Sequence, residues 1–382
     1  MNNKFNRKKY KIYIFHPYST IGGADLSISR LINNLDEKQY DIDFIFLNNQ
    51  NLSKYLIRKN INFINIRSKR SLFSIFKIRK YLKKDKIKSY KKYIFLSNQN
   101  FANVLCPIIL FGNKKFKSIL IERNHLDEFK HSNNLVEYVK KNILKALMKF
   151  TYHRTNLIIG NAKKLSDDLK KYLRVNVKTI YSPSNSKEIT RLSKKFTPKE
   201  FLKNKLRTRI LSISRFTKRK DLITLLKAFK VISGENKLVD LILIGYGPEK
   251  SNIIKFIRDE KLNQNVFILG KKPNPYPYFL LSNLYVHSSL YEGCPNSIVE
   301  SLILNLPVIS SDCNSGPREI LLNGKGGYLY KKSNYKSLLN KMRKYLINQK
   351  DLEKRLKLAK KKLDRFEEKN IVKQYEKVFQ KL

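Results

Sequence analysis

The sequence lacks the features of a disulfide-stabilised, zinc-binding or membrane-spanning protein. Its three cysteines, Cys106, Cys294 and Cys313, lie far apart without CxxC spacing, which argues against a disulfide framework and a zinc site. The longest apolar stretch, residues 101–111, is much shorter than the roughly 20 residues of a transmembrane helix. The apolar run at residues 12–15 is too brief for a signal-peptide core. We expect a cytoplasmic protein, either free in solution or peripheral to the inner face of the cell membrane.

Acidic residues are few and tryptophan is absent. The 382-residue chain has 80 Lys and Arg against 30 Asp and Glu, a net charge of +50. Such a charge favours polyanionic partners, which are nucleic acid, anionic lipid or phosphorylated substrates. The surplus is mostly Lys and is spread along a chain that is also rich in Asn, Ile and Tyr, which indicates compositional drift. Charge alone therefore does not choose among these partners.

The chain has enough apolar material for two folded domains. Hydrophobic residues make up 42% of it, which excludes a disordered polycation, and roughly 100–200 residues per domain gives two domains for this length. Short apolar runs alternate with helical patterns, which predicts parallel α/β sheets because parallel strands need crossover connections. The predicted strands are residues 11–15, 42–47, 63–66, 93–96, 118–121 and 157–160, then 209–214, 239–244, 266–269, 284–287, 308–310 and 328–330.

The two strand series define the predicted domains. Residues 1–181 form the first and residues 206–369 the second. Between them, residues 182–205 are rich in Ser, Lys and Pro and lack apolar periodicity, which predicts a linker or a long surface loop. Residues 370–382 are predicted to form a final helix.

Three candidate sites combine glycines or cations with strand ends, where open α/β sheets bind ligands. Gly22 and Gly23 lie at the start of a predicted helix. The pair is interpreted either as an anion site formed by backbone N–H groups or as a simple turn. Arg215 and Lys220 follow a strand. The forked guanidinium of Arg and the compact ammonium of Lys are suited to binding a diphosphate. The turn at residues 245–247 lacks the third glycine of a dinucleotide fingerprint and is interpreted as a strand-to-helix turn.

The fourth candidate is the most informative. Glu292 lies in a glycine-containing turn after a strand, and Glu300 lies about one turn inside the helix that begins near Asn296. A loop carboxylate accepts hydrogen bonds from sugar hydroxyls, and a helix carboxylate can bind a ribose diol. The free N–H groups at the start of the helix favour an anion.

This block resembles the Glu-x7-Glu motif of retaining glycosyltransferases of the GT-B fold, family 4. The order of Gly-Gly-Ala, Arg215 to Lys220, residues 243–249, residues 266–270, the motif itself and residues 306–321 is similar to that family. The resemblance implies two Rossmann-like domains facing across a cleft, with the C-terminal helix crossing back to the N-terminal domain. It also implies that the nucleotide-sugar is held mainly by the C-terminal domain and that no metal or other cofactor is needed.

The resemblance assigns roles to individual positions. Arg215 and Lys220 would hold the diphosphate, Glu300 the ribose and Glu292 the donor sugar. The implied donor-binding residues are Gly22, Gly23, Gly293, Pro295, Asn296, Ser297, Glu300, Gly270 and Lys271. The catalytic set is Glu292, Arg215, Lys220 and His125.

Two positions depart from the family pattern. Many relatives carry a histidine after an N-terminal-domain strand, where this chain has Glu-Arg-Asn-His, so His125 is either the counterpart or a surface histidine. Relatives usually have Asn before Pro where this chain has Tyr181, Ser182 and Pro183. The second departure weakens the match at the domain junction and leaves the donor site unaffected.

We expect a retaining transfer of a hexose or N-acetylhexosamine from a UDP-linked donor to a glycan or lipid-linked glycan in surface polysaccharide synthesis. Residues 135–150 place Leu135, Val139, Ile143, Leu147 and Phe150 near one face, with lysines around it. This pattern fits either a helix that lies on an anionic membrane or a helix whose apolar face packs on the core and whose lysines face solvent. The alternatives are a hydrolysing nucleotide-sugar epimerase of the same fold and a basic nucleic-acid-binding protein. Scattered aromatics argue against the latter, so no nucleic-acid partner is expected.

Overall fold

The computed structural model describes residues 10–18, 22–47, 57, 59–68, 72–84, 90–132, 134–198 and 206–382. The chain divides into two compact units. The first combines Met1–Pro183 with Glu368–Leu382, and the second is Ser184–Glu367. The last residues of the predicted linker, 199–205, lie outside the described residues.

The first unit is a parallel sheet covered by helices on both faces. Within its described residues, seven strands follow the order β3-β2-β1-β4-β5-β6-β7. The strands are β1 (Tyr10–Phe15), β2 (Tyr40–Phe46), β3 (Asn62–Asn65), β4 (Lys92–Ser97), β5 (Phe116–Glu122), β6 (Leu157–Gly160) and β7 (Val177–Thr179). The helices are α1 (Gly23–Asn34), α2 (Ser74–Lys84), α3 (Asn100–Ile109), α4 (Leu135–Thr151) and α5 (Lys163–Leu173), with 3₁₀ turns at Leu126–Lys130 and Tyr152–Arg154.

The second unit repeats this architecture. Six strands in the described part of the unit follow the order β10-β9-β8-β11-β12-β13, all parallel. They are β8 (Thr208–Ile213), β9 (Val239–Ile244), β10 (Val266–Ile268), β11 (Leu284–His287), β12 (Val308–Ser311) and β13 (Tyr328–Tyr330). The helices are α6 (Lys187–Ser193), α7 (Leu222–Glu235), α8 (Lys250–Asp259), α9 (Tyr276–Leu280), α10 (Asn296–Ile303), α11 (Pro317–Ile320), α12 (Tyr335–Ile347) and α13 (Gln349–Lys360), with 3₁₀ turns at Lys218–Lys220, Leu322–Gly324 and Leu363–Phe366.

Both sheets have the strand order of doubly wound Rossmann-like domains. The order reverses between β1 and β4 in the first unit and between β8 and β11 in the second. Ligands of such sheets bind at this switch point, beyond the carboxyl ends of the strands. The strands are apolar on both faces because helices cover both faces, which is why they are short continuous apolar runs in the sequence.

The final helix, α14 (Glu368–Lys381), belongs to the first unit. Its buried residues Ile371, Tyr375 and Phe379 join the core on the α1 side of the first sheet. The Phe379 ring contacts the Tyr40 ring edge-on, with 5.8 Å between centroids. The chain thus returns to its first sheet after the second unit is complete.

The predicted strands are present, with ends that differ by a few residues. The structure adds β7, which sequence analysis missed because Val-Lys-Thr contains a single apolar residue and none of the three is buried. Residues 182–205 were predicted to lack regular structure, yet they include α6, whose start is capped by Ser186 Oγ accepting from the Glu188 N–H. The apolar stretch at residues 101–111 is mostly α3, which contains Pro107.

Helix α4 differs from one of the two predictions made for it. Leu135, Ile143 and Phe150 of its apolar face are 74%, 55% and 72% exposed, and its buried residues are Met148 and Thr151. The core-facing interpretation is therefore wrong, because the helix packs inward through the opposite side. Among the helices that the structure describes, none combines the length and apolarity needed to cross a bilayer.

Candidate functional site

The candidate site lies at the switch point of the second sheet. Strands β8 and β11 are neighbours there, with Leu284 opposite Ile210 and Tyr285 opposite Leu211. The chain that leaves β8 carries Arg215 and Lys220, and the chain that leaves β11 carries Glu292 and the start of α10. Residues that the sequence separates by more than 70 positions are thus brought to one edge of one sheet.

Lys220 and Glu292 form a buried ion pair at this edge. Lys220 Nζ donates a hydrogen bond to Glu292 Oε1, and Ser289 Oγ donates to the same oxygen at 2.7 Å. The two charged side chains are 11% and 7% exposed. Burial lowers the pKa of Lys220, whereas the pKa of Glu292, which burial alone would raise, is held well below its usual range by Lys220 and Arg219. Each charged group is therefore stabilised by the other against the cost of burial.

His287 extends this cluster and was missed by sequence analysis. It ends β11 at 2% exposure, and its Nε2 lies 3.4 Å from Glu292 Oε1 without forming a hydrogen bond to any described residue. Burial lowers the pKa of His287. The sequence shows a histidine at the end of a predicted strand. Its proximity to Glu292 could not be predicted without the three-dimensional fold.

Arg215 projects from a loop that glycines hold in place. Gly245 and Gly247 have φ values of +154° and +153°, and a Cβ on them would lie 1.8 Å from the Ser214 carbonyl oxygen and 2.3 Å from that of Phe216. The turn at residues 245–247 is thus packed directly against the backbone around Arg215, which only glycine allows. The Arg215 side chain is exposed and has no hydrogen bond or ion pair with any described residue.

The turn after Glu292 is fixed by a second glycine contact. Gly316 has φ +62°, and a Cβ there would lie 1.5 Å from the Gly293 carbonyl oxygen. Ser315 Oγ donates to the Glu292 carbonyl at 3.0 Å. Pro295 precedes the first residue of α10, so the turn delivers the chain directly into the helix.

The remaining donor-site predictions also lie in the second unit. Residues Pro295, Asn296 and Ser297 form the start of α10, and Asn296 Oδ1 accepts from Ser184 Oγ at 2.7 Å. Glu300 is 6% exposed and accepts a hydrogen bond from the Tyr276 hydroxyl at 3.2 Å.

Gly270 and Lys271 lie beside the glycine turn of residues 245–247. The Gly245 N–H donates to the Gly270 carbonyl at 2.9 Å, and Lys271 Nζ lies 5.1 Å from the centre of the Tyr246 ring. The second unit therefore holds every predicted site residue except Gly22, Gly23 and His125.

Gly22 and Gly23 lie at the start of α1 in the first unit. The Gly22 N–H donates to Asp25 Oδ2 at 2.8 Å. The other Asp25 oxygen lies 2.9 Å from Nε2 of His16, a fully buried residue at the end of β1. His16 Nδ1 in turn lies 3.1 Å from the Asn98 side-chain amide, beyond the end of β4. His16 and Asn98 thus mark the switch point of the first sheet, and sequence analysis did not select them.

His125 is buried and both of its ring nitrogens are engaged. Nδ1 accepts from the Asp127 N–H at 3.1 Å, which caps the 3₁₀ turn Leu126–Lys130, and Nε2 lies 2.7 Å from Asp168 Oδ2. At 5% exposure it is not the surface histidine of the second interpretation. These contacts support a role for His125 in shaping the loop after β5.

A buried carboxyl in the first unit was also not selected from the sequence. Glu122 Oε1, at the end of β5, accepts hydrogen bonds from Asn103 Nδ2 at 2.6 Å and from the Tyr152 hydroxyl. Burial raises the pKa of Glu122 to about 7. The signal in the sequence was a single acidic residue that ends an apolar run.

The edge of the second sheet has the chemistry of an anion site. An exposed guanidinium and a buried ammonium lie on the segment after β8, and a short helix starts nearby on the segment after β11. Arg matches two anionic oxygens with its fork, and Lys adds a compact charge. The carboxylates of Glu292 and Glu300 supply acceptors for hydroxyl groups. This set is suited to a ligand that combines phosphates with polyols.

Comparisons with known proteins agree with this chemistry. Residues 193–363 match the family of glycosyl transferases group 1. An uncharacterized glycosyltransferase of Methanocaldococcus jannaschii is 31% identical over 297 residues, covering 75% of this chain and 72% of that protein. An N-acetylgalactosamine-N,N'-diacetylbacillosaminyl-diphospho-undecaprenol 4-alpha-N-acetylgalactosaminyltransferase of Campylobacter jejuni is 26% identical, covering 68% of this chain and 67% of that enzyme.

The fold is shared with solved glycosyltransferase structures. The crystal structure of Anabaena HepE in complex with UDP-glucose matches with a TM-score of 0.78 at 17% identity, covering 97% of this chain and 100% of that one. Two Rossmann-like parallel sheets in one chain constitute the GT-B fold. The chain belongs to the group 1 family of glycosyltransferases, enzymes that transfer a sugar from a nucleotide-sugar.

Proposed function

We propose that this enzyme transfers a hexose or N-acetylhexosamine from a UDP-sugar to a hydroxyl of a glycan or lipid-linked glycan, with retention at the anomeric carbon, as a member of family 4. The observation that carries the proposal is the buried Lys220–Glu292 pair at the switch point, with Arg215 on the same loop as Lys220. In this pair, a cation that can bind phosphate and a carboxylate that can accept hydrogen bonds from sugar hydroxyls lie next to each other.

The proposed roles follow from the positions of the groups. Lys220 and Arg215 bind the diphosphate, and Glu300, already an acceptor for Tyr276, binds the ribose hydroxyls. Glu292 accepts hydrogen bonds from the donor sugar. The base lies beside Gly270 and Lys271, where a Cβ on Gly270 would meet no heavy atom within 4 Å. Residues Gly293, Asn296 and Ser297 offer backbone N–H groups to sugar or phosphate, and Pro295, which has no N–H, leads the chain into α10.

In the proposed reaction, the bond between the anomeric carbon and the diphosphate oxygen breaks as the acceptor oxygen bonds to the same face of the sugar. The acceptor proton passes to the departing diphosphate, so UDP leaves and no other reactant is consumed. Lys220 and Arg215 stabilise the negative charge that grows on the diphosphate, the kind of electrostatic help that is often the largest catalytic contribution. In this scheme the two cations do the work that a divalent ion does in other phosphate-transfer sites, so no metal cofactor is required.

The relatives favour particular substrates. The Campylobacter jejuni relative is named as transferring N-acetylgalactosamine in alpha linkage to a diphospho-undecaprenol-linked sugar, and the HepE structure contains UDP-glucose. We therefore propose a UDP-linked donor and an acceptor on a polyprenyl diphosphate, in the synthesis of a surface glycan.

The test is turnover with a panel of UDP- and GDP-sugars, with and without polyprenyl-linked glycan acceptors, in buffer containing EDTA. We expect UDP release that depends on acceptor, together with an alpha-linked product from an alpha-linked donor by NMR. A beta-linked product would overturn retention, and activity restored only by a divalent ion would overturn metal independence.

Two further outcomes would replace the proposal, the first from this panel and the second from a nucleic-acid-binding assay run beside it. Free UDP with an epimerised sugar and no acceptor would indicate a hydrolysing epimerase. Salt-dependent binding of nucleic acid without binding of any nucleotide-sugar would indicate a nucleic-acid-binding protein.

A further inference from the structure

Helix α4 exposes an apolar stripe along its length. Leu135, Ile143 and Phe150 of this stripe are each more than half exposed, and Val139 and Leu147 continue it at 47% and 39% exposure. These positions recur every three or four residues, so they lie on one face. The helix contacts the rest of the first unit through the opposite side, where Met148 and Thr151 are buried. An apolar stripe that packs on none of the described residues marks a surface for a partner.

Helices α2 and α3 extend this stripe into a larger patch. The Arg79 guanidinium of α2 donates to the carbonyls of Ile108 and Phe111 at the end of α3, at 3.1 and 3.0 Å. Arg154, just after α4, lies 5.9 Å from the centre of the Phe111 ring. Phe111 is 64% exposed, and Phe76 of α2 is 77% exposed. We call the outer surface of α2, α3 and α4 with these side chains the apolar-basic face.

The charges on this face are almost all positive. Helices α2, α3 and α4 together carry nine Lys and Arg and a single acidic residue, Glu137, which pairs with Lys141 at 2.9 Å. Around α4, Lys140 borders one side of the apolar stripe, and Lys145 and Lys149 border the other. Two copies of this face would repel each other, whereas an anionic surface would attract it.

We propose that the apolar-basic face docks on an anionic lipid bilayer. Ile143, Phe150, Phe111 and Phe76 insert at the boundary between headgroups and acyl chains, while the flanking lysines contact lipid phosphates. A helix with an apolar face bordered by lysines lies in the plane of the interface, and its affinity rises with buried apolar area and with anionic lipid. This inference stands on the first unit and does not depend on the donor chemistry proposed for the second.

The test is co-sedimentation of the full chain with vesicles of phosphatidylcholine alone or with about one-quarter phosphatidylglycerol. The variant Ile143→Glu/Phe150→Glu removes two inserted side chains and adds two negative charges. The matched control is Ile347→Glu/Leu358→Glu, which makes the same charge change at residues of the second unit that are 87% and 48% exposed. UDP binding by each variant, measured by calorimetry, reports whether the second unit is folded, and circular dichroism melting reports on the whole chain.

We expect the wild type and the control to bind anionic vesicles and to be released by salt, and the Ile143→Glu/Phe150→Glu variant to bind at least about tenfold more weakly. Equal binding to neutral vesicles, or unchanged binding by the variant, would overturn the proposal. A wild-type dimer in sedimentation velocity that the variant abolishes, without vesicle binding, would assign the face to a second copy instead. Loss of vesicle binding with UDP turnover intact would leave the proposed reaction standing.

Discussion

Lys220 and Glu292 are 72 residues apart in the sequence, and their charged groups are hydrogen-bonded to each other inside the second unit. Burial opposes the charge on each group, and each charge stabilises the other. In the proposed mechanism, a diphosphate that approaches Lys220 shares the ammonium with Glu292, and the carboxylate keeps an oxygen for a donor hydroxyl.

Replacing the carboxylate tests this pair most directly. Glu292→Gln keeps the shape of the side chain but removes the charge that Lys220 faces, and we expect kcat/KM for UDP release to fall by about 10²–10³. Glu353→Gln, at an exposed position of α13, makes the same chemical change and should leave turnover unaltered. Steady-state kinetics of both variants would show it. Equal activity of Glu292→Gln and wild type would remove Glu292 from the proposed mechanism.

Arg215 is expected to matter for binding and not for stability. Its side chain is exposed and unpaired within the described residues, so Arg215→Gln should change the free energy of unfolding by less than about 0.5 kcal/mol. The same variant should weaken UDP binding by roughly tenfold or more, because a charge-assisted contact to phosphate is lost. Lys218→Gln, three residues along the same loop, loses the same charge and is the control. Calorimetric titration with UDP should distinguish the two variants. Equal losses of UDP affinity would mean that Arg215 acts only through the overall positive charge of the loop.

Gly316 should tolerate no side chain. Alanine there combines φ +62° with a Cβ only 1.5 Å from the Gly293 carbonyl oxygen, so the turn after Glu292 must shift. We expect Gly316→Ala to lower the free energy of unfolding by about 1–3 kcal/mol and to weaken UDP binding.

The control for Gly316 is Gly234→Ala in α7. A Cβ on Gly234 meets no heavy atom within 4 Å, and alanine should stabilise the helix by up to about 1 kcal/mol. Urea unfolding followed with UDP titration measures both effects. A Gly316→Ala variant that binds UDP normally would contradict the proposed role of the Gly293 turn.

The buried Glu122 should make the first unit less stable as the pH rises. Its folded pKa of about 7 lies above the ordinary value of 4.5, so its stabilising contribution is complete below about pH 4.5 and is lost as the pH rises through 7. Glu122→Gln mimics the neutral carboxyl and should flatten this dependence, gaining about 1–3 kcal/mol over the wild type between pH 5 and pH 8. Urea unfolding at both pH values measures the change. Parallel pH profiles for the two proteins would show that Glu122 does not titrate in this range.

The sequence predicted most strands of both sheets because a strand that is buried on both faces is a short continuous apolar run. It failed for β7, which contains one apolar residue and no buried one, and for α6, which is seven residues long and buries only Ile189 and Ser193. For α4 the amphipathic pattern was correct, but a pattern does not reveal which face of a helix meets the core. Only the packing of Met148 and Thr151 decides that.

The candidate site was predictable where a motif marks it and unpredictable where only the fold assembles it. Glu292, Lys220 and Arg215 follow strand ends in the sequence, but their grouping depends on the order β8-β11, which reverses at that point. His287 was missed because nothing in the local sequence distinguishes a buried histidine that faces Glu292 from any other residue at a strand end. His125 was selected by analogy, and its two hydrogen bonds became visible only with the loop around it.

Helix α14 also affects how the chain is made. The second unit is one contiguous segment, so its core can close as soon as residue 367 has left the ribosome. The first unit waits for Ile371, Tyr375 and Phe379, which emerge after the second unit is complete. During synthesis the α1 side of the first sheet thus lacks the part of its cover that α14 supplies, for the time needed to translate almost two hundred residues. An expressed fragment that stops before α14 should be aggregation-prone, whereas residues 184–367 are the natural choice for an isolated domain.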